Sequence, residues 1–235
     1  MIELFENIFN FGMRYCSVCD CYFEPASSPR HPDGVPCNQK SRIQDKKQIK
    51  SMEIIGDFNV SIKKALSEID NNWENYRGLV VCGTHNPKDT EMMIAKIKEA
   101  REKNIPFLGI CFGFQLMLVE WMRNCGFQTA NTAEVDPNAT PKVIIQLPEM
   151  RVGIRSVFWR GKEFLMSHWH RYAFARRHTN YFEKDWELSW TDGILEVAKL
   201  KGHPCFLGVQ GHPEYDSSKE NKHPILVEFL SLCKK

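Results

Sequence analysis

Net charge is the first thing this sequence lacks: 31 Lys and Arg stand against 29 Asp and Glu, leaving +2. That balance gives no electrostatic basis for nucleic acid or an acidic membrane surface as a partner, since both need clustered cations. No secretory signal is expected either. The start, MIELFENIFNFGM, is acidic before it is apolar and carries no small-residue cleavage site. A clean bilayer span is missing too. The longest run without Lys, Arg, Asp or Pro lies between Pro106 and Arg123, but it carries Gln115, Glu120, Gly109 and Gly113, with Gly126 just beyond. An acid at the bilayer centre costs roughly 2.5 to 3.5 kcal/mol on insertion scales, so the chain is expected to be soluble, with no membrane partner. The nine cysteines, at 16, 19, 21, 37, 82, 111, 125, 205 and 233, are odd in number. Without a signal peptide they point to the reducing cytoplasm, where a free thiol, a metal ligand or a nucleophile is a better expectation than a disulfide.

What is present is room for one good-sized globular domain within 235 residues, 43% of them hydrophobic. From about residue 76 the pattern alternates between strand and helix. GLVV (78–81) reads as a buried strand, DTEMMIAKIKEAREK (89–103) as a helix with Met93, Ile94, Ile97 and Ala100 on one face, and IPFLGI (105–110) as a second strand. FGFQLMLVEWMRN then reads as a helix that is apolar nearly all round. This order predicts an α/β fold in three layers: a mostly parallel open sheet with helices on both faces. Further strands are expected at 52–58, 142–147, 193–200 and 205–210, and helices at 61–69 and 223–234. Residues 51–235 form the predicted main domain. Residues 1–50 are either a first strand plus an insertion or a small appendage, with a loop at ASSPRHPDGVP (26–36).

Ligands of open α/β sheets gather beyond the carboxyl ends of the strands, so the residues just after GLVV, IPFLGI and CFLGVQ matter most. After the second of these, GICFG matches the G-x-nucleophile-x-G elbow, with Gly109, Cys111 and Gly113 in register. A sharp strand-to-helix turn holds the nucleophile, and Cys111 would sit at a helix N-terminus, where the dipole favours the reactive thiolate. The plainer alternative is a small buried hydrophobe. A base is therefore required, and CFLGVQ runs directly into GHPEY. A spacing of two turns His212 and Glu214 toward one side of an extended segment, so that the carboxylate can hold one ring nitrogen while the other faces the thiol.

GICFGFQ and VQGHPEY in this order resemble the class I glutamine amidotransferases. With TANTAEVD (129–136), MRVG (150–153), HWHRY (168–172) and HPCFLGVQGHPE (203–214), the likeness narrows to the glutaminase domain of CTP synthase and the stand-alone proteins related to it. It covers about residues 52–235. The resemblance implies a flavodoxin-like fold and hydrolysis of L-glutamine to glutamate and ammonia through a thioester, with no cofactor required. By position it makes Cys111 the nucleophile, His212 the general base and acid, and Glu214 its orienting partner. It also places Gln115, Glu134 and Arg171 on the substrate: an anion for its ammonium and a cation for its carboxylate are what an amino acid needs. An oxyanion hole is expected from the Phe112 N–H and from Gly83 and Thr84.

Two departures from that pattern stand out. Where the relatives have a PGGFG turn, this chain reads CGTHN (82–86), with Thr84 at the second glycine. A positive φ there would strain a β-branched residue and weaken catalysis. Gly211 replaces a bulky aromatic before HPE, which is expected to loosen the pocket. The chain also has no GxxxxGK[ST] loop and too few residues for an ATP-using synthetase domain, so an ammonia acceptor would be a synthetase or amidoligase acting in trans. Two alternatives remain open: hydrolysis of another γ-glutamyl amide or peptide, and a glutamine-binding regulatory subunit with little turnover. Near the start, Cys16, Cys19, Cys21 and Cys37, with His31, could ligate zinc. The spacing C-x2-C-x-C-x15-C lacks paired knuckles, however, and the alternation in RYCSVCDCYF suits a strand.

Overall fold

The structure is a computed structural model that describes residue 49 and residues 51–84 and 89–234, together with the backbone of 14–16 and 21–23. The chain divides into two compact units, 1–48 and 49–235. In the first, β1 (Arg14–Cys16) pairs antiparallel with β2 (Cys21–Phe23), and Cys16 stands opposite Cys21. The stretch read as one strand thus supplies two. The zinc expectation rests on side chains of Cys16, Cys19, Cys21, Cys37 and His31 that lie outside the described residues.

The second unit is built on a six-stranded sheet. Its strands in chain order are β3 (Met52–Ile55), β4 (Gly78–Val81), β5 (Phe107–Ile110), β9 (Trp186–Thr191), β10 (Ile194–Leu200) and β11 (Phe206–Val209). They lie side by side as β3-β4-β5-β11-β10-β9, parallel from β3 to β11 and antiparallel over the last two pairings. Among the described residues four α-helices accompany them: α1 (Asn59–Ile69), α2 (Thr90–Glu102), α3 (Phe112–Asn124) and α4 (Pro224–Cys233).

Strand side chains alternate between the two faces, and each face has its own core. Leu79, Val81, Phe107 and Phe206 pack with Met93 and Ile97 of α2 and Phe114 and Met117 of α3. Val80, Leu108, Leu207 and Val209 pack with Ile62 and Leu66 of α1 and Ile225 and Phe229 of α4. This gives the expected three layers. It also explains why α3 is apolar nearly all round, since ten of its residues are buried. Its one buried acid, Glu120, is matched by a bidentate contact from Arg101 of α2, with both N–O distances 2.8 Å.

The pattern at 142–147 proves to be the start of a much longer strand. β7 runs from Lys142 to Trp159 and pairs antiparallel with β8 (Lys162–Phe174); β6 (Asn131–Thr132) joins as a third strand. One face of the hairpin carries Val152, Ile154, Phe158, Leu165 and Trp169, each at least half exposed. The opposite face buries His168, His170 and Met166. Buried His168 and His170 inside and exposed Val152, Ile154 and Trp169 outside invert the usual alternation over this stretch, although Met166, Val157 and Trp159 are also buried on the inner face, so the sequence pattern hides this element. No helix among the described residues is long and apolar enough to cross a membrane.

Candidate active site

The strand order creates the site. β5 and β11 are parallel neighbours with Gly109 opposite Gly208 and Ile110 opposite Val209. The segments leaving their carboxyl ends must therefore emerge side by side, Cys111 from β5 and Gln210-Gly211-His212 from β11. The Cys111 N–H donates to the Val209 carbonyl at 2.9 Å, which ties the elbow to the neighbouring strand.

Cys111 caps α3 with φ 53° and ψ −107°, a left-handed conformation at a non-glycine residue. The two elbow glycines make it reachable. A Cβ at Gly113 would collide with the Val81 carbonyl oxygen, and one at Gly109 would lie 2.9 Å from Gly113 O and Phe114 N. Backbone passes over backbone at both places, so no side chain fits. The thiol is partly exposed, whereas Cys82, Cys205 and Cys233 are buried. Burial pushes the Cys82 and Cys205 thiols up to about 12, which leaves them protonated and unreactive.

His212 is held from several sides. Its backbone N–H donates to Ser167 O of β8 at 2.8 Å, and its Nδ1 donates to Glu214 Oε1 at 2.8 Å. Cys111 lines one cavity with the ring and lies close enough to it to raise its pKa. Phe58 and Tyr215 flank it, with centroids at 6.0 and 5.4 Å. Burial of the imidazole works against its charged form, but Cys111 and Glu214 beside it overcome that and raise its pKa to about 10. The arrangement can therefore deliver a proton beside the sulfur.

The surrounding cavity has a volume of about 870 Å³. Its lining brings together Cys111, Phe112, Gln115, Gly83, Thr84, Glu134, Arg171 and His212, from five separate segments. Glu214 supports the His212 ring from the protein side. Glu134 and Arg171 are exposed at the cavity wall, and Gln115 is buried, its Nε2 donating to Tyr172 O at 3.0 Å. The Phe112 N–H belongs to the first turn of α3, where amides have no acceptor within the helix.

Both departures noted in the sequence come out differently in three dimensions. The non-glycine residues with positive φ among those described are Asn104, Cys111, Arg160 and Asp192, so Thr84 does not carry the strain that was expected of it. Gly211 does not loosen the pocket: a Cβ there would lie 2.7 Å from Met166 Cγ and 2.8 Å from Ser167 O. Met166 fills the space that an aromatic would take.

Sequence reasoning missed the polar layer behind the site. His168 Nε2 contacts Glu196 Oε2 at 2.8 Å with both side chains fully buried, and Arg151 donates to Glu196 Oε1 at 3.0 Å. His170 lies beside His168 with ring centroids 5.6 Å apart, and burial lowers its pKa to about 4. The only sequence signal was the spacing of two in HWH, which places both rings on one face of a strand.

Comparison with known proteins agrees with this architecture. The family model described as glutamine amidotransferase class-I matches residues 46–232. The CTP synthase of Sulfolobus acidocaldarius is 34% identical over 196 residues, covering 73% of this chain and 37% of that protein. The CTP synthase of Thermosynechococcus vestitus is 30% identical over 247 residues, covering 94% of this chain and 43% of that protein. This chain thus spans well under half the length of these relatives. Among solved structures, the Trypanosoma brucei CTPS glutaminase domain with bound acivicin superposes with a TM-score of 0.71 at 18% identity, covering 78% of this chain and 93% of that one. A mostly parallel sheet sandwiched by helices, with a family match across 46–232, makes the chain a member of the class I glutamine amidotransferases, with a domain like that of CTP synthase.

Proposed function

We propose that the chain hydrolyses L-glutamine to glutamate and ammonia, with Cys111 as nucleophile, His212 as acid and base, and Glu214 as the group that orients His212. The observation that carries this reading is the convergence of Cys111 with the hydrogen-bonded pair His212–Glu214 in one cavity, at the adjoining ends of β5 and β11. The sulfur attacks the side-chain carboxamide carbon. The C–N bond breaks as His212 gives its proton to the departing ammonia, which leaves a thioester. Water then adds to the thioester with His212 taking its proton, and glutamate leaves as the thiol is restored. The Phe112 N–H and the Gly83–Thr84 backbone would face the developing oxyanion, where a single donor is worth about 10²- to 10³-fold in rate. Glu134 and Arg171 would take the α-ammonium and α-carboxylate.

A second reading is favoured by the cavity itself. Its volume of about 870 Å³ far exceeds what glutamine needs, and Met150, Val152 and Trp169 give its wall an apolar stretch. A larger γ-glutamyl amide would fit there. An ammonia-accepting synthetase or amidoligase, if this chain serves one, acts in trans.

One assay separates these readings: release of ammonia or amine from L-glutamine and from γ-glutamyl amides, with glutamine binding measured alongside. Turnover of glutamine supports the first reading. Turnover of the larger amides alone supports the second, and binding without turnover supports a regulatory role.

A further inference from the structure

Glu196 is fully buried and does not line the cavity, yet the segments on either side of His212 are fastened to it. It sits at a break in the β9–β10 ladder: Leu195 pairs with Trp190 and Val197 with Ser189, which leaves Glu196 as an extra residue. An extra residue turns the chain, so Leu195 and Val197, two positions apart, pack into opposite cores of the sheet. The Glu196 carboxylate reaches the β7–β8 hairpin. There Oε1 accepts from Arg151 Nη2 at 3.0 Å and Oε2 meets His168 Nε2 at 2.8 Å. The Glu196 backbone carbonyl accepts from the Gln210 N–H at 2.9 Å.

These contacts meet at His212. Gln210 is the second residue before it, and the His212 N–H donates to the carbonyl of Ser167, the residue just before His168. Ser167 is also tied to the far side of the same loop, its Oγ donating to Asp216 Oδ1 at 2.8 Å. One residue on β10 therefore fastens both the segment that leads into His212 and the strand that receives it. Reach matters more than charge in such a bridge. The Met166 carbonyl only accepts, so His168 Nδ1, 2.8 Å away, holds a proton. Nε2 can then donate to a carboxylate or accept from an amide N–H, so a glutamine at 196 spans the same gap with its Oε1 toward Arg151. An aspartate, one carbon shorter, spans it only by moving a strand.

We infer that Glu196 is a positioning residue for His212, bridging β10 to the hairpin so that the imidazole stays aimed at Cys111. This deepens the glutamine reading above and rests on it for the role of His212. Glu196 acts through placement alone, since neither its side chain nor that of His168 has any exposed surface. Misplacing a catalytic group by about 1 Å costs up to roughly 10²-fold in rate, which sets the size of the effect.

The test measures kcat and KM for ammonia release from L-glutamine by the full chain, on folded protein below its thermal transition, in the wild type, Glu196→Ala and Glu196→Gln. The Ala variant is expected to lose about tenfold to hundredfold in kcat with KM changed less than about twofold, and the Gln variant to recover most of that loss. A structural role alone would lower the melting temperature and leave the kcat of folded protein unchanged. A wild-type kcat in Glu196→Ala, a loss confined to KM, or a Gln variant as slow as the Ala variant would overturn the inference. If the Ala variant does not fold, Glu196→Asp, which keeps the charge but not the reach, should be slowed while Glu196→Gln is not, and an Asp variant at the wild-type rate refutes it. A wild type that releases no ammonia from glutamine removes the glutamine reading, and an NMR titration of the His212 ring then decides on Glu196 by itself. A titration point that falls toward 6.5 in Glu196→Asp upholds the positioning role, and one that stays where the wild type has it removes that role.

Discussion

Cys111 holds a backbone conformation that costs a non-glycine residue of order 1 to 3 kcal/mol, a cost sustained by the packing around it. Replacing Gly113 by Ala tests that packing. The added methyl meets the Val81 carbonyl, which belongs to the sheet and cannot step aside. Gly113→Ala is expected to lower stability by about 3 kcal/mol or more, read as a fall in the urea midpoint. His212 gives a second prediction at this scale. Its folded pKa is raised to about 10 from an ordinary 6.5, so the interactions responsible stabilise the fold fully below about pH 6.5 and fade as pH rises through about 10. Burial opposes this shift, and Cys111 and Glu214 beside the ring favour it. In an NMR titration the His212 ring should therefore titrate well above 6.5 in the wild type and markedly lower in Cys111→Ala. Equal values in the two proteins would contradict the pairing. Glu214→Gln keeps the shape but loses the charge that fixes the ring, and is expected to reduce kcat by about 10²- to 10⁴-fold, by analogy with other triads, with KM little changed.

At the scale of elements, α2 and α3 are joined through a nearly buried ion pair, Arg101 at 12% and Glu120 at 3% side-chain exposure. Removing one partner strands the other, so Glu120→Ala should cost about 3 to 5 kcal/mol in chemical denaturation, well beyond the effect of a surface substitution. Elements of this kind were legible in the sequence. GLVV, IPFLGI and CFLGVQ are short, apolar and bounded, and the helix after Cys111 is apolar because both its sheet face and its neighbours cover it. The order of these elements made the three-layer fold readable, and GICFG with GHPEY marked the two strand ends that meet. The β7–β8 hairpin was not legible. Val152, Ile154 and Trp169 face outward while His168, His170 and Arg151 face inward, the reverse of the polarity from which a strand is recognised. Glu196 and Arg151 escaped notice for the same reason: a buried ion pair looks, in sequence, like two surface charges. Gly211 was misread because its packing partner, Met166, is distant in sequence.

At the scale of the whole molecule, the chain covers 37% and 43% of the two CTP synthases compared, and what it shares with them is the amidotransferase fold. The chain carries no GxxxxGK[ST] loop. Ammonia release by the purified chain is accordingly expected to be the same with and without ATP, and a dependence on nucleotide would mean that the site is controlled from elsewhere in the molecule. Glutamine hydrolysis by this chain would depend on one sulfur atom. The most direct measurement uses L-glutamine labelled with ¹⁵N in its side-chain amide and tracks the appearance of ¹⁵N-ammonium by NMR, in the wild type and in Cys111→Ala. Steady release by the wild type, abolished in Cys111→Ala while that variant still binds glutamine, is the predicted result. Release that persists without the sulfur would contradict it.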